Sequence, residues 1–458
     1  MAESEITSML PMLRQADLLL NKGLVEEAVE FYIRIIGMAP HQMDAYARLG
    51  HAYHLIGSIK EAAAAYLKVL SFDDVDAGTY CGIAEFIRTG EKLKTEDEST
   101  YNRLVELFID HMLQQTVRGS ADTSKLVVTW DFRSQPYSIG DLILLQQAAN
   151  CICLAHGITQ ARTYLLSDRE NPARPSFRAL GVNGENYLDH IIRLLPVFLL
   201  CNEAPALTLE HDEDTALQSM AAPDAVAWPT VPLLKSMLDL NLPTFRLLNM
   251  FYEQQKMLPE FRIRGSLARW ARNFIEENAR GYIPVAVQMR KTKSYNLSRN
   301  SNIEAWSEFF SHCHSHLPVK FFVICAASEV DEQLRAHENV VIAKNSRTTV
   351  DQDLALIKEC AAFMGISSGP ATVAFFGNRP YSIVNAHLEQ SLVPLLKKEP
   401  WGYSFTYAKK NQRIIASGNE TCELLVRELG ILLKDLTSDG ERNIDRLLSD
   451  KDTDLRLH

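Results

Sequence analysis

Ala361-Ala362-Phe363-Met364-Gly365-Ile366-Ser367-Ser368-Gly369-Pro370-Ala371-Thr372 reads as a short buried strand, a turn of small polar residues and the start of a helix. A strand–turn–helix junction of this kind is a ready anion site. Backbone N–H groups at the helix N-terminus point outward, and the helix dipole favours negative charge there. Gly369 lets a phosphate approach the backbone closely. Pro370 has its φ preset for the first helical position. The junction therefore suggests a site for a nucleoside diphosphate.

Strands and helices alternate on both sides of it. Ile283–Met289 reads as a strand, Ile303–His312 as a helix and Val319–Cys325 as a strand. Glu329–His337 reads as a helix, Val340–Ala343 as a strand and Asp351–Cys360 as a helix. Ala362–Ile366 is the next strand, Thr372–Phe376 starts a helix, and Tyr381–Val384 is a strand. Near-continuous apolar strands alternating with helices imply a doubly wound parallel sheet. Ligands on such sheets bind beyond the carboxyl ends of the strands, where Arg290 and Ser367 lie. A second α/β pattern precedes this one. Lys125–Trp130 reads as a strand, Leu142–His156 as a helix closed by Gly157, Arg162–Leu166 as a strand and Ala206–Glu210 as another. Residues 401–458 read as polar and helical, ending in a charged tail.

The N-terminus carries an internal repeat. Ala16, Gly23, Ala28 and Tyr32 stand thirty-four residues before Gly50, Gly57, Ala62 and Tyr66, with Pro40 opposite Asp74. Each window reads helix, glycine-containing turn, helix. The small residues let two helices approach, and the aromatic fills the groove between repeats. This period and pattern resemble the tetratricopeptide repeat. A third helical unit follows at Thr79–Arg88. A less regular helix at Glu98–Val117 reads as an atypical cap. Such arrays present a concave surface to a peptide or protein. Packing on the rest of the chain, or self-association into a homo-oligomer, is the alternative.

Size and composition narrow the rest. A chain of 458 residues implies about two to four domains. The divisions fall at 1–120 for the repeats, 121–280 for the first α/β region, 281–400 for the second and 401–458 for the C-terminal segment. The change of pattern comes at Gly119-Ser120. The net charge is −10 and there is no long basic run, which argues against nucleic acid. Met1–Glu5 is acidic and lacks the features of a signal peptide. The longest apolar runs, such as Leu194–Cys201, fall far short of the ~20 residues that span a bilayer. The eight cysteines are scattered, without a paired CxxC. Reduced thiols and a cytoplasmic location are expected.

Three local matches carry a family resemblance. Leu356-Ile357 through Phe376-Gly377 is similar to the nucleotide-sugar segment of GT-B glycosyltransferases, of the kind found in heptosyltransferase-like and fucosyltransferase-like enzymes. Val285-Ala286-Val287-Gln288-Met289-Arg290 resembles the strand ending in His-x-Arg whose arginine meets the donor pyrophosphate, with Gln288 in place of the histidine. Downstream, as part of the same second match, Ser298-Arg299-Asn300-Ser301-Asn302-Ile303 resembles a signature of some bacterial members. Ser138-Ile139-Gly140-Asp141 resembles the GxGD loop of the first domain, with Ser138 at the first glycine. In heptosyltransferase-like enzymes that aspartate is the proposed base. The matches span roughly residues 121–400. The resemblance implies α/β architecture with an N-terminal all-α repeat region: tetratricopeptide hairpins followed by two Rossmann-like domains facing across a cleft. Repeats fused to such a transferase also resemble protein O-glycosyltransferases, the O-GlcNAc transferase type included.

The resemblance implies metal-independent transfer of a sugar from a nucleotide-diphosphate donor to an acceptor, with recruitment of a protein acceptor falling to the repeats. No cofactor and no metal are expected, so protein cations and a helix dipole must stabilise the leaving diphosphate. Arg290 offers a planar fork suited to phosphate. Lys291, Lys293 and Arg299 add positive charge, and Asn300 adds an amide. Ser367, Ser368, Gly369 and Thr372 offer hydroxyls and backbone donors, with Pro370 between them. Asp141 is the candidate base for the acceptor proton. Plainer readings stand beside these. The Ser-Ser-Gly-Pro junction also fits a simple tight turn, and Arg290 fits pairing with an acidic neighbour. Asp141 fits an N-cap for a helix starting at Leu142, and Arg299-Asn300 fits a solvated loop. Asp353 and Glu359 read as helix-surface residues. His312 and His316 share a helical face but read as a helix end rather than a zinc site. His387 and Glu389 follow a strand and are candidates for touching the donor sugar or ribose. A non-catalytic repeat scaffold with a degenerate transferase-like domain, and a sugar-nucleotide epimerase, are the alternative functions.

Overall fold

The computed structural model describes residues 2–90, 99–118, 123–174, 181–202, 205–293, 296–415, 420–434 and 436, with side chains from Leu10 onward. The Gly119-Ser120 boundary and the charged tail lie outside the described residues.

The spaced small residues become helix crossings. Six helices come first: α1 (Ala2–Asn21), α2 (Val25–Met38), α3 (Met43–Leu55), α4 (Ile59–Val69), α5 (Ala77–Gly90) and α6 (Ser99–Arg118). Gly23 and Gly57 close the first two hairpins, both at φ +76°, a conformation that needs glycine. Tyr32 and Tyr66 are buried at matching positions. Asp17, on α1, accepts from the Tyr32 hydroxyl at 2.8 Å and pairs with Arg48 of α3, tying one repeat to the next. Gly50 faces the Tyr66 ring: a Cβ there would lie 2.9 Å from the ring edge. Gly50→Ala is therefore expected to force that buried ring aside. The expected cost is about 1–3 kcal/mol, read as a lower midpoint of thermal unfolding.

The first α/β region follows: β1 (Lys125–Asp131), α7 (Ile139–His156), β2 (Ala161–Leu166), α8 (Tyr187–Phe198), β3 (Ala206–Glu210), α9 (Asp214–Met220), β4 (Ala225–Trp228), α10 (Val231–Lys235), α11 (Asn241–Gln255) and α12 (Gly265–Ala279). Its sheet has the order β3-β2-β1-β4, and β1 runs parallel to both β2 and β4. β4 is an addition to the strands expected from sequence. It is only four residues long and lies between Pro223 and Pro229.

The second region comprises β5 (Ile283–Gln288), α13 (Ile303–His316), β6 (Val319–Ile324), β7 (Val340–Ile342), α14 (Val350–Glu359), β8 (Ala362–Ile366), α15 (Thr372–Phe375), β9 (Tyr381–Val384), β10 (Leu396–Glu399), β11 (Gly402–Phe405), β12 (Gln412–Ile415) and α16 (Cys422–Leu433). The strand order is β10-β11-β12-β9-β8-β5-β6-β7. From β7 to β12 the strands are parallel and follow the doubly wound order 3-2-1-4-5-6. β10 and β11 then add antiparallel strands at one edge. Two expectations are corrected here. Residues 401–458 are not simply helical: β11 and β12 precede α16. Glu329–His337 is not an α-helix but two short 3-10 segments, Ala327–Glu329 and Glu332–Ala336, the second capped by Asp331. The core of this sheet packs Trp306, Phe309 and Phe310 of α13 and Leu425, Leu429 and Leu432 of α16 on one face.

Contacts group the chain into two compact units: Met1–Gln135, Ala155–Leu166 and Thr208–Pro243 in one, and Pro136–Leu154, Ser167–Leu207 and Thr244–His458 in the other. The divisions at 120, 280 and 400 remain a proposal. Most of α7 belongs with the second sheet rather than with β1, its predecessor in the chain.

Candidate functional site

The doubly wound order reverses between β5 and β8. The two strands are paired there, with Gln288 opposite Gly365. A crevice forms at such a switch point, outside the carboxyl ends of the strands. Arg290, Lys291, Lys293, Arg299 and Asn300 lie on the segment that leaves β5, and Ser367 to Thr372 lie on the segment that leaves β8, whereas His387 and Glu389 follow β9.

Ser367 follows β8 directly. Gly369–Ala371 forms a 3-10 turn, with Pro370 in its first turn, and leads into α15. The Ser368 hydroxyl oxygen is buried and has no hydrogen-bond partner among the described residues. Thr372 is buried at the start of α15. Across from them stands the first turn of α7. A Cβ on Gly140 would lie 2.9 Å from Thr372 Oγ1 and 3.0 Å from Gly369 Cα. A Cβ on Gly369 would lie 3.0 Å from the Gly140 nitrogen. Only glycine on both sides permits this approach of backbone to backbone. Gln147, buried in α7, donates to the Pro259 carbonyl at 2.7 Å, and the Phe261 N–H donates to the Phe376 carbonyl at 3.1 Å. These bonds tie α7, through the segment after α11, to the end of α15.

Asp141 is the third residue of α7, half-buried and next to Gly140. It does not cap a helix starting at Leu142, because the helix begins at Ile139 and Leu142 N–H already bonds the Ser138 carbonyl. A carboxylate in a first helical turn is favoured by the dipole.

The segment leaving β5 is a closed loop. Ser301 N–H donates to the Arg290 carbonyl at 2.8 Å, and Arg290 N–H donates to Ser301 Oγ at 3.1 Å. The Asn300 amide bonds both backbone groups of Thr292, at 2.8 and 3.1 Å. Asn300 is thus a staple across the loop rather than a solvated residue. The Arg290 guanidinium, half-buried, reaches the Asn296 carbonyl at 3.3 Å. Lys293 is exposed. Lys291 pairs with buried Asp331, and that bond holds the Asp331 carboxyl below its usual range. Arg299 turns its guanidinium onto the carbonyl of Ser367, with Nε at 3.0 Å, and reaches Ser367 Oγ at 3.5 Å. It links the two segments that leave β5 and β8.

Gln288 is 4% exposed. Its Nε2 donates to the Met289 carbonyl at 3.0 Å, while its Oε1 is buried and accepts nothing among the described residues. Gly365 beside it admits no side chain: a Cβ would lie 2.9 Å from the Gln288 carbonyl oxygen. Gln288 Oε1, at the carboxyl end of β5, and Ser368 Oγ, in the turn that follows β8, are thus both buried without a hydrogen-bond partner among the described residues. Both atoms are free to accept a hydrogen bond from a ligand or water.

Other sequence candidates sit elsewhere. His387 bonds the Asn385 carbonyl at 3.3 Å, and Glu389 is exposed. Asp353 is not a helix-surface residue. It is buried, bonded to Lys344 and Thr348 at 2.5 Å each, and burial raises its carboxyl above the usual range. Glu359 is largely covered and pairs with Arg272 at 3.2 Å. α13 runs through to His316, and the His312 and His316 rings stack at 4.6 Å. Among the described residues, no group of three or more His, Cys, Asp and Glu side chains is arranged to hold a metal ion. Two residues that sequence reasoning missed, Asn385 and Glu420, brace the β5 loop from behind. Neither belongs to a motif.

Comparison with known proteins adds the following. Residues 44–76 match the tetratricopeptide repeat family model. The chain contains a tetratricopeptide repeat. No match is found among the curated proteins. Among solved structures, the fold is similar to a glycosyl transferase family 9 protein from Veillonella parvula, at 11% identity over 71% of this chain and 98% of that one, with a TM-score of 0.41. It is similar to E. coli ADP-heptose lps heptosyltransferase II at 15% identity over 69% and 100% of the two chains, TM-score 0.39. A mutant O-GlcNAc transferase from Thermobaculum terrenum aligns with 97% of this chain and 94% of its own, at 10% identity and a TM-score of 0.27. No helix among the described residues is long and apolar enough to cross a membrane.

Proposed function

We propose that this protein is a glycosyltransferase of the GT-B type, moving a sugar from a nucleotide-diphosphate donor to a protein held by the repeats, without a metal ion. One observation carries the reading. The first turn of α7, bearing Asp141, lies in backbone contact with the Ser367–Thr372 loop at the switch point of the second sheet. A base and a diphosphate cradle are needed side by side for this reaction. The acceptor oxygen attacks the anomeric carbon as its proton passes to Asp141. The bond from that carbon to the β-phosphate oxygen breaks, and its electron pair leaves with the diphosphate. The leaving charge is met by the N–H groups of the Ser368–Gly369 turn, by Ser368 Oγ and by Arg290. Lys291 contributes less, because Asp331 already neutralises it. Arg299 serves the loop through Ser367.

Binding of a nucleoside diphosphate raises the unfolding midpoint by mass action. A panel of uridine, guanosine, adenosine and cytidine diphosphates is expected to contain at least one that does so. A panel without any shift would remove the donor site. Arg290→Ala is expected to weaken the active nucleotide by about 10- to 150-fold, the worth of a charge-assisted bond of roughly 1.5–3 kcal/mol. The acceptor is tested by mass spectrometry of co-purified proteins before and after incubation with donor, looking for an added sugar mass. A non-catalytic scaffold would bind nucleotide and partner yet add none.

A further inference from the structure

Behind the β5 loop lies a buried carboxylate with no cation in hydrogen-bond reach among the described residues. Glu420 is 4% exposed. Its Oε2 accepts from Trp306 Nε1 at 2.5 Å and from the Asn302 N–H at 3.1 Å. Its Oε1 accepts from Asn385 Nδ2 at 3.1 Å. The backbone carbonyl of Glu420 accepts from Asn302 Nδ2 at 3.2 Å, while Asn302 Oδ1 caps α13 through the Ala305 N–H. Burial raises the carboxyl above its ordinary range, and the three donors oppose that rise.

The bonds continue toward the site. Asn385, held at φ +49° where β9 ends, turns the same Nδ2 to the Ser298 carbonyl at 3.4 Å. Ser298 precedes Arg299, whose guanidinium grips the Ser367 carbonyl. A single path of bonds thus runs from Glu420 through Asn385, Ser298 and Arg299 to the anion loop. We propose that Glu420 is a positioning residue for the Ser367–Gly369 turn, acting through Asn385 and Arg299. The proposal rests on reading that turn as a diphosphate site.

The chemistry makes the carboxylate specific. Three N–H donors converge on two oxygens, so an acceptor is required at both. Glu420→Gln keeps the shape but places an NH2 against one donor. If Oε stays with Trp306 and Asn302, the new NH2 faces Asn385 and drives its amide to turn over. The Asn385 oxygen then faces the Ser298 carbonyl, and the link to Arg299 is lost. Asn385→Ala cuts the path at the same point without touching α13 or α16.

Two readouts test this. The first is amide hydrogen exchange at Ala371, whose N–H bonds the Ser368 carbonyl at 3.1 Å across the turn, in the nucleotide-free protein. Glu420→Gln and Asn385→Ala are each expected to speed it by about tenfold, as expected when a local opening becomes easier. The second is affinity for inorganic pyrophosphate and for the four nucleoside diphosphates. Each variant is expected to weaken them about tenfold while nucleosides without phosphate bind as before. Arg299→Ala added to either variant is expected to cause little further loss, because the three side chains act in series. Unchanged exchange at the turn, equal losses for nucleoside and diphosphate, or multiplicative effects with Arg299→Ala would overturn the proposal. If the parent protein binds none of these nucleotides, the diphosphate reading fails, and exchange alone then decides whether Glu420 orders the turn.

Discussion

Asp141→Asn is expected to lower the transfer rate by about 10²- to 10⁴-fold, the usual contribution of a general base. Nucleoside-diphosphate affinity is expected to stay within about twofold. The substitution is isosteric, so it removes the proton acceptor and leaves the first turn of α7 in place. It also removes a negative charge from a helix N-terminus, worth about 0.3–1 kcal/mol of stability. A small drop in unfolding midpoint is therefore expected as well. Rate and stability separate the two roles of this carboxylate. A structural aspartate would show the small midpoint drop and near-full transfer. A base shows both, with the rate loss far exceeding what the midpoint explains. Single-turnover transfer measured beside a diphosphate titration makes the distinction. A full transfer rate in the variant would move the base to another residue.

The second sheet was legible because its strands are buried on both faces. Ala362–Ile366 has all five residues buried and reads as an apolar run of strand length. Tyr381–Val384 is likewise buried at all four positions, Ser382 included. The antiparallel edge was not legible for the opposite reason. β10, Leu396-Lys397-Lys398-Glu399, is half-exposed and polar, and nothing in its composition distinguishes it from a surface helix or loop. The 329–337 segment had a helical pattern, but Asp331 caps a short turn instead. In the candidate site, the Ser367–Pro370 turn announced itself through its residue types. What its neighbours do depends on distant partners. Lys291 meets Asp331 forty residues on. Glu420 gathers Asn302 and Trp306 from 118 and 114 residues away, and Asn385 from 35. A lone glutamate in a polar stretch carries no local sign that it will be buried. The cations read from sequence as donor contacts therefore divide in the structure. Arg290 remains at the carboxyl end of β5, Arg299 organises the turn, and Lys291 is paired.

Gly140→Ala and Gly369→Ala are expected to lower transfer by at least about 100-fold each, the scale on which a shift of roughly 1 Å between reacting groups is felt. The new methyl on residue 140 would sit 2.9 Å from Thr372 Oγ1 and 3.0 Å from Gly369 Cα. The new methyl on residue 369 would sit 3.0 Å from the Gly140 nitrogen and 3.3 Å from Ile139 Cβ. In each case backbone lies in the way, and backbone cannot rotate aside as a side chain does. The first turn of α7 and the Ser368–Gly369 turn must separate, carrying Asp141 away from the cradle. Thr372→Ser keeps Oγ1, and Thr372→Ala removes it. Adding Thr372→Ala to Gly140→Ala relieves the 2.9 Å contact but not the one with Gly369 Cα, so rescue is expected to be partial. Overpacking of this kind costs about 1–3 kcal/mol of stability. Because the two glycines face each other, the double variant is expected to lose less than the sum of the singles. The separation already made by one methyl accommodates the other. Thermal midpoints and transfer rates for the two singles and the double measure both effects. Parent-like rates in both single variants would show that the close approach of α7 to the loop serves packing alone, and Asp141 would then lose its place beside the leaving group.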